Sequence, residues 1–390
     1  MKEYYTKGNI LEESEISKWN EKLKELPIFN MSLSSKELFH SNFIGWVLET
    51  YPNQMAKFFI QNTNEKITDV KREEKNIDLS FKIGDTLFII ENKVKSIAYK
   101  EQLNKYSGHE EVQKSTKVQC ILLSLKSSTF FKETDEYIAK IDDIKKEFKN
   151  QKEIKKEISW KYISYKSLIE YFEKLEISEN YHNSLINDYC KFLNIIDENI
   201  VQKIDFDKTN LINLYVKGTK EYNNLEILDK LRMHDFFQKG IFEDLANQLR
   251  IRLDDINNEV TITHGMTRAT GLLDVKVNYA DDIIIGIQIQ GNQYRKTIEG
   301  SEKSKVVELA LKLDEKIEDK EAEYFKGMLP TKPNKKLDKY DKHLSFNKYD
   351  MSKNLFLYKY IILKNLSNND LISKILEDIQ ILVEMKKENF

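Results

Sequence analysis

The sequence predicts a mixed α/β protein built as two lobes, and three observations carry that reading. With 390 residues, 40% of them apolar and 32% charged, the chain can fill two packed cores beneath a solvated surface. Segments with helical periodicity alternate with short runs of β character in both halves. Only 12 Gly and 4 Pro supply too few turn residues for a turn-dense all-β or collagen-like chain.

The elements follow in order. Helical spacing covers 11–26 and stops at Pro27; a second helix opens at Ser34 and presents Leu38, Phe39, Phe43, Trp46 and Val47 as one stripe. Pro52 ends it ahead of a short helix over 54–60. The period then changes to two: 76–83 alternates, 86–93 is almost continuously apolar, and Gly84-Asp85 lies between them as a hairpin turn. A helix over 97–107, a strand over 118–125, a charged amphipathic helix over 134–157, a strand over 159–164 and a helix beginning at Tyr165 complete the first half. Helices over 183–202 and 208–217 lead into the second half. There a long helix over 221–252 precedes strands at 259–264, 270–279 and 283–290, a helix over 300–320, a strand over 354–363 and a last helix to about Lys386. Domains of 1–205 and 206–390 are expected. The similar order of elements in the two halves is compatible with a diverged duplication and equally with chance.

Several functional classes drop out. Cys120 and Cys190 lie far apart in apolar surroundings, and the histidines have no zinc-ligand spacing. No P-loop, dinucleotide fingerprint or nucleophile elbow is present. No apolar run reaches the ~18 residues of a membrane span, and the start MKEYYTKGNILEE lacks a signal-peptide core. A cytoplasmic protein with no membrane partner is expected, and its chemistry falls to carboxylates and lysines.

One hairpin concentrates such groups. A two-residue loop at Gly84-Asp85 pairs Ile83 with Thr86 and brings Asp78 directly opposite Glu91, with Lys93 on the same face. Opposed carboxylates ~4 Å apart repel by about 4 kcal/mol at an effective dielectric near 20. A divalent cation, Mg²⁺ or Mn²⁺, relieves that repulsion, with Asp78, Glu91 and the backbone carbonyl of Asn92 as ligands. Lys93 beside it suits an attacking water and the negative charge of a phosphodiester transition state. Alternatively, the hairpin end is exposed and Lys93 is an ordinary counterion. The E-x-K triplet also occurs at Glu73, Glu147, Glu153, Glu318 and Glu384, but only Glu91 ends an apolar strand with an acid across from it.

Asp78, twelve intervening residues and Glu91-Asn92-Lys93 together resemble the signature of the PD-(D/E)XK nuclease superfamily. The segments SKELFHSNFIGWVLE (35–49), KEQLNKY (100–106) and KYISYKSLIEYF (161–172) resemble a bacterial branch of it, so that the likeness covers roughly 30–180. Ile77 stands where a proline often precedes the acid. The resemblance implies a restriction-endonuclease-like mixed sheet flanked by helices, with Asp78 and Glu91 on the metal and Lys93 catalytic. It also implies Glu37 as an acid supplied from the preceding helix, although Ser34 to Glu37 alone reads as a capping box. Gln102 and Tyr106 match a Gln-x-x-x-Tyr pattern near the lysine or phosphate, and His40 stands where it could touch phosphate; each is also explained by packing.

In the second lobe Asp274 falls opposite Gln288, so that Gln288 and Gln290 stand where Glu91 and Lys93 stand in the first. An amide brings no charge to a metal, so this lobe is expected to lack a complete site and to grip nucleic acid or support a homodimer. The chain carries 62 Lys+Arg against 64 Asp+Glu, so binding to a polyanion must rest on a local patch. Lys95, Lys100 and Lys105, beside Lys93, Lys114 and Lys117, are the candidate phosphate contacts. The expected function is a metal-dependent nuclease acting on DNA. A catalytically inactive nucleic-acid-binding protein of the same fold and a ribonuclease of a toxin or phage-defence system are the alternatives.

Overall fold

The computed structural model describes residues 13–33, 37–131, 135–147, 154–206, 208–253, 259–267, 269–280, 282–317, 347–351 and 354–388. The chain divides into two compact units, Met1–Asp205 with Glu226–Phe237, and Phe206–Leu225 with Gln238–Phe390.

The first unit begins with four helices, α1 (Glu13–Lys24), α2 (Pro27–Ser32), α3 (Leu38–Thr50) and α4 (Pro52–Phe59). A meander follows: β1 (Ile67–Glu74), β2 (Ile77–Ile83) and β3 (Thr86–Lys93). Then come α5 (Lys100–Ser107), α6 (Glu110–Lys114), β4 (Val118–Ser124), β5 (Glu136–Ala139), α7 (Ile141–Glu147), β6 (Ile158–Ser164), α8 (Tyr165–Phe172) and α9 (Asn180–Asn199). The sheet runs β1-β2-β3-β4-β6-β5. Its β1–β2–β3 part is antiparallel, while β3, β4 and β6 are parallel. The C-terminal ends of β3 and β6 therefore share one edge of the sheet.

Two glycines position this sheet. Gly84 has φ +56° while Asp85 stays out of the left-handed region, as a type II′ hairpin requires. Gly45 on α3 leaves room for the Arg72 side chain of β1, which would sit 2.2 Å from a Cβ there and ion-pairs with Glu49. One sheet face stacks Phe81 on Phe88, ring centroids 5.0 Å apart, beneath Phe59 of α4. The opposite face packs Leu87, Ile89, Cys120, Leu122 and Trp160 against Leu103, Tyr106 and Val112 of α5 and α6.

Local patterning misreads three segments. The helix expected over 134–157 gives way to β5 and α7; Tyr137 and Ala139 alternate inward where β5 pairs with β6 at the sheet edge, so a period of two wins over helical charge spacing. The helix expected over 208–217 is only a 3₁₀ turn, Ile212–Tyr215. That over 221–252 is two helices, α10 (Lys220–Lys230) and α11 (His234–Arg252), parted at Arg232 with φ +60°.

The second unit's sheet is antiparallel throughout. Its strands are β7 (Val260–Met266), β8 (Gly271–Ala280), β9 (Ile283–Gln290), β10 (Gln293–Gly300), β11 (Asn347–Met351) and β12 (Asn354–Ile362), in the order β11-β12-β10-β9-β8-β7. Helices α12 (Lys303–Ile317) and α13 (Asn368–Glu388) pack on it. The first unit crosses from β3 to a parallel β4 through two helices, whereas here β9 turns at Gly291, φ +61°, directly into antiparallel β10. The similarity of element order therefore ends at the hairpin. Among the described residues no helix is long and apolar enough to cross a membrane.

Candidate functional site

The paired strands follow the expected register, with Ile83 opposite Thr86 and Leu79 opposite Ile90. One step further on, Asp78 and Glu91 are next in line. There the carboxylate replaces the backbone: Asn92 N–H donates to Asp78 Oδ2 at 2.7 Å. Asp78 is half-buried, and desolvation of its carboxyl, offset in part by Lys93, weakens its acidity.

Glu91 is 1% exposed. Its Oε1 accepts from Lys93 Nζ at 2.5 Å and from Gln102 Nε2 at 2.6 Å, whereas Oε2 is buried with no hydrogen-bond partner. Burial pushes the carboxyl up to about 8; Lys93 pulls it back and Asp78 raises it further. Burial works against the Lys93 ammonium, yet Glu91, Glu37 and Asp78 together hold it protonated, above lysine's ordinary value. The hairpin end is thus an enclosed cluster of charge, not a solvated tip.

Helix α5 covers it. Gln102 Nε2 also donates to the Tyr106 hydroxyl at 2.9 Å, and burial with the Glu91 charge pushes that phenol up to about 12. Gln102 thus contacts Glu91 rather than the lysine or a phosphate that the resemblance implied, with Tyr106 behind it; Tyr106 is buried and offers no surface for nucleic acid.

Asn92 turns its side chain to the other side of β3. Nδ2 donates to Ser41 Oγ of α3 at 3.1 Å, and Oδ1 accepts from the Tyr165 hydroxyl. Tyr165 opens α8 directly after β6, at the same sheet edge as Asn92 because β3 and β6 are parallel. Tyr189 hydrogen-bonds Tyr165 in turn and bonds His40 Nδ1 at 3.0 Å.

Three expected residues stand elsewhere than their spacing suggested. Glu37 does not cap its own helix: it makes no side-chain cap bond, and Ser34 lies outside the described residues. Its carboxylate instead accepts from Val94 N at 2.9 Å, Lys95 N at 3.2 Å and Ser96 Oγ at 2.8 Å, tying α3 to the chain leaving β3. His40 is 0% exposed, packed on Phe192 at 5.6 Å; burial, then Lys95, keeps it well below its ordinary value and neutral. Lys95 is also 0% exposed, its Nζ donating to Ser32 O at 3.0 Å. Neither His40 nor Lys95 reaches solvent, so neither can touch a phosphate backbone; apolar helix packing decided both. Lys100 and Lys105 are exposed on α5.

Glu73 on β1, set aside in the sequence as one of several E-x-K triplets, has its acidity weakened by burial and by Asp78 and strengthened by Lys93. The missing signal was β1 itself, a strand without apolar alternation. In the second unit Asp274 does pair with Gln288. There Gln288 Nε2 donates to Asp274 Oδ1 at 2.8 Å, and its Oε1 accepts from Arg295 at 2.9 Å: the amide is satisfied, with no opposed acids.

The first unit is a six-stranded mixed sheet flanked by helices, with Asp78, Glu91 and Lys93 gathered at the end of β3. Residues 27–191 match the family model described as PD-(D/E)XK nuclease superfamily, so the resemblance carried by Asp78 and Glu91-Asn92-Lys93 is borne out for that stretch. No curated protein and no solved structure matches the chain.

The residues fit a divalent cation to a defined extent. Among the described residues no three His, Cys, Asp or Glu side chains stand close enough to hold one ion. Asp78 and Glu91 make two, the number with which Mg²⁺ is typically held alongside waters and substrate phosphate. The buried, partnerless Oε2 of Glu91 is the atom that such an ion would satisfy.

Proposed function

We propose that the first unit is a Mg²⁺- or Mn²⁺-dependent nuclease acting on DNA, with Asp78, Glu91 and the Asn92 carbonyl holding the metal. The observation that carries this reading is Glu91: a 1% exposed carboxylate with one oxygen on Lys93 and the other without a partner. Evolution of so costly an arrangement as mere packing has little to favour it, since an unpaired buried acceptor costs about 1–3 kcal/mol.

Held by Asp78, Glu91 and the Asn92 carbonyl, a divalent ion would supply neutralisation of charge on the phosphoryl oxygens and a lowered pKa for water. The chain's own groups do the rest. Lys93, kept protonated by its acidic neighbours, orients the water and faces the charge that develops on the phosphate. Gln102 fixes Glu91 Oε1, and the Asn92 N–H fixes Asp78. The exposed Lys100 and Lys105 supply sequence-independent phosphate contacts.

The test is cleavage of plasmid DNA and of RNA, with Mg²⁺ or Mn²⁺, by wild type, Glu91→Ala and Lys93→Ala. DNA cleavage lost in both folded variants is expected. Binding without turnover in any metal would make the chain a binding protein, and cleavage of RNA alone would move the substrate class.

A further inference from the structure

Glu73 stands on β1 between Arg72, paired with Leu79, and Glu74, paired with Ile77. It therefore lies across from Asp78, which has Glu91 on its other side. Arg72 reaches Glu49 of α3, while Lys71 reaches Glu74 at 3.6 Å, Asp69 at 3.9 Å and Glu111 of α6 at 4.0 Å. Glu73 itself lies near enough to Asp78 and Lys93 for their charges to act on it. Three carboxylates thus form a row over β1, β2 and β3, from exposed Glu73 through half-buried Asp78 to buried Glu91.

One feature argues that this row is made for a cation: inside it, Glu91 Oε2 is buried and without a partner. Glu37, the other acid near Lys93, is not available in the same way, because both its oxygens accept from Val94, Lys95 and Ser96.

We propose that Glu73, not Glu37, is the third carboxylate of the site, a positioning residue that accepts hydrogen bonds from the water shell of the divalent ion held by Asp78 and Glu91. The inference rests on the metal-binding reading above. Its role is outer-sphere, in keeping with two direct carboxylates.

Calorimetric titration with Mn²⁺ of wild type, Glu73→Gln, Glu37→Gln and Asp78→Asn, together with the melting temperature of each in EDTA, tests it. Glu73→Gln is expected to weaken Mn²⁺ binding about tenfold, as loss of an outer-shell partner does, with an unchanged or higher Tm in EDTA because a repelling charge is gone. Glu37→Gln is expected to lower that Tm. Glu73→Gln binding Mn²⁺ within about twofold of wild type, while Asp78→Asn loses it, overturns the role of Glu73 alone. A fall in its EDTA Tm overturns it too, by making the effect structural. Wild type that binds no Mn²⁺ overturns the metal site and Glu73 with it.

Discussion

Asp78 Oδ2 accepts the backbone N–H of Asn92 at 2.7 Å, which ties one acid of the cluster to the residue standing between Glu91 and Lys93. The hairpin ladder would otherwise leave that N–H without a strand partner. A single contact therefore ends the pairing, anchors Asp78 and keeps two carboxylates together in a buried corner.

Removing the charge but keeping the shape separates these roles. Asp78→Asn retains an acceptor for the Asn92 N–H and relieves repulsion with Glu91, so its metal-free stability should equal or exceed that of wild type. Cleavage should fall at least about 100-fold, because a metal contributes several kcal/mol to phosphoryl chemistry. Denaturant melts in EDTA beside plasmid cleavage assays check both.

Glu91 makes stability depend on pH. Its carboxyl titrates near 4.5 in the unfolded chain and is pushed up to about 8 in the fold. Between these values the native state holds the extra proton, so this contribution is fully present below about 4.5 and is lost as pH rises through about 8. Metal-free melts across that range should show the decline, and Glu91→Gln should flatten it. Mn²⁺ affinity should rise over the same interval as the proton is displaced.

The Glu37 carboxylate holds three donors on Val94, Lys95 and Ser96. Glu37→Gln leaves a neutral oxygen for two backbone N–H groups, so stability should fall by roughly 1–3 kcal/mol. Faster amide exchange at Val94 and Lys95, measured by hydrogen–deuterium exchange, is the local readout.

Tyr165→Phe removes the hydroxyl bonded to Asn92 Oδ1 and leaves a buried acceptor, at about 1–3 kcal/mol. Further along the same chain of hydrogen bonds, buried His40 is held neutral, so wild type should lose stability as pH falls below 6.5, the ordinary value. His40→Gln should show a shallower acid limb in urea melts.

What the sequence determined by itself is short-range. The Gly84-Asp85 turn sets the register that brings Asp78 and Glu91 next in line and places Lys93 beside them, and the separate turn between β8 and β9 pairs Asp274 with Gln288. The i, i+4 spacing of Gln102 and Tyr106 likewise survives in their contact over Glu91. Tertiary structure decided whatever depends on partners distant in the chain. Lys95 reads as a surface cation until α2 and α3 close over it, and Glu37 reads as a helix cap until the chain leaving β3 arrives with three donors. β1 has no apolar alternation because it is an edge strand, so Glu73 gained its place opposite Asp78 only when the sheet formed. Turn geometry and periodicity act over a few residues, whereas burial and the pairing of charges are set by whichever surfaces meet when the whole unit packs.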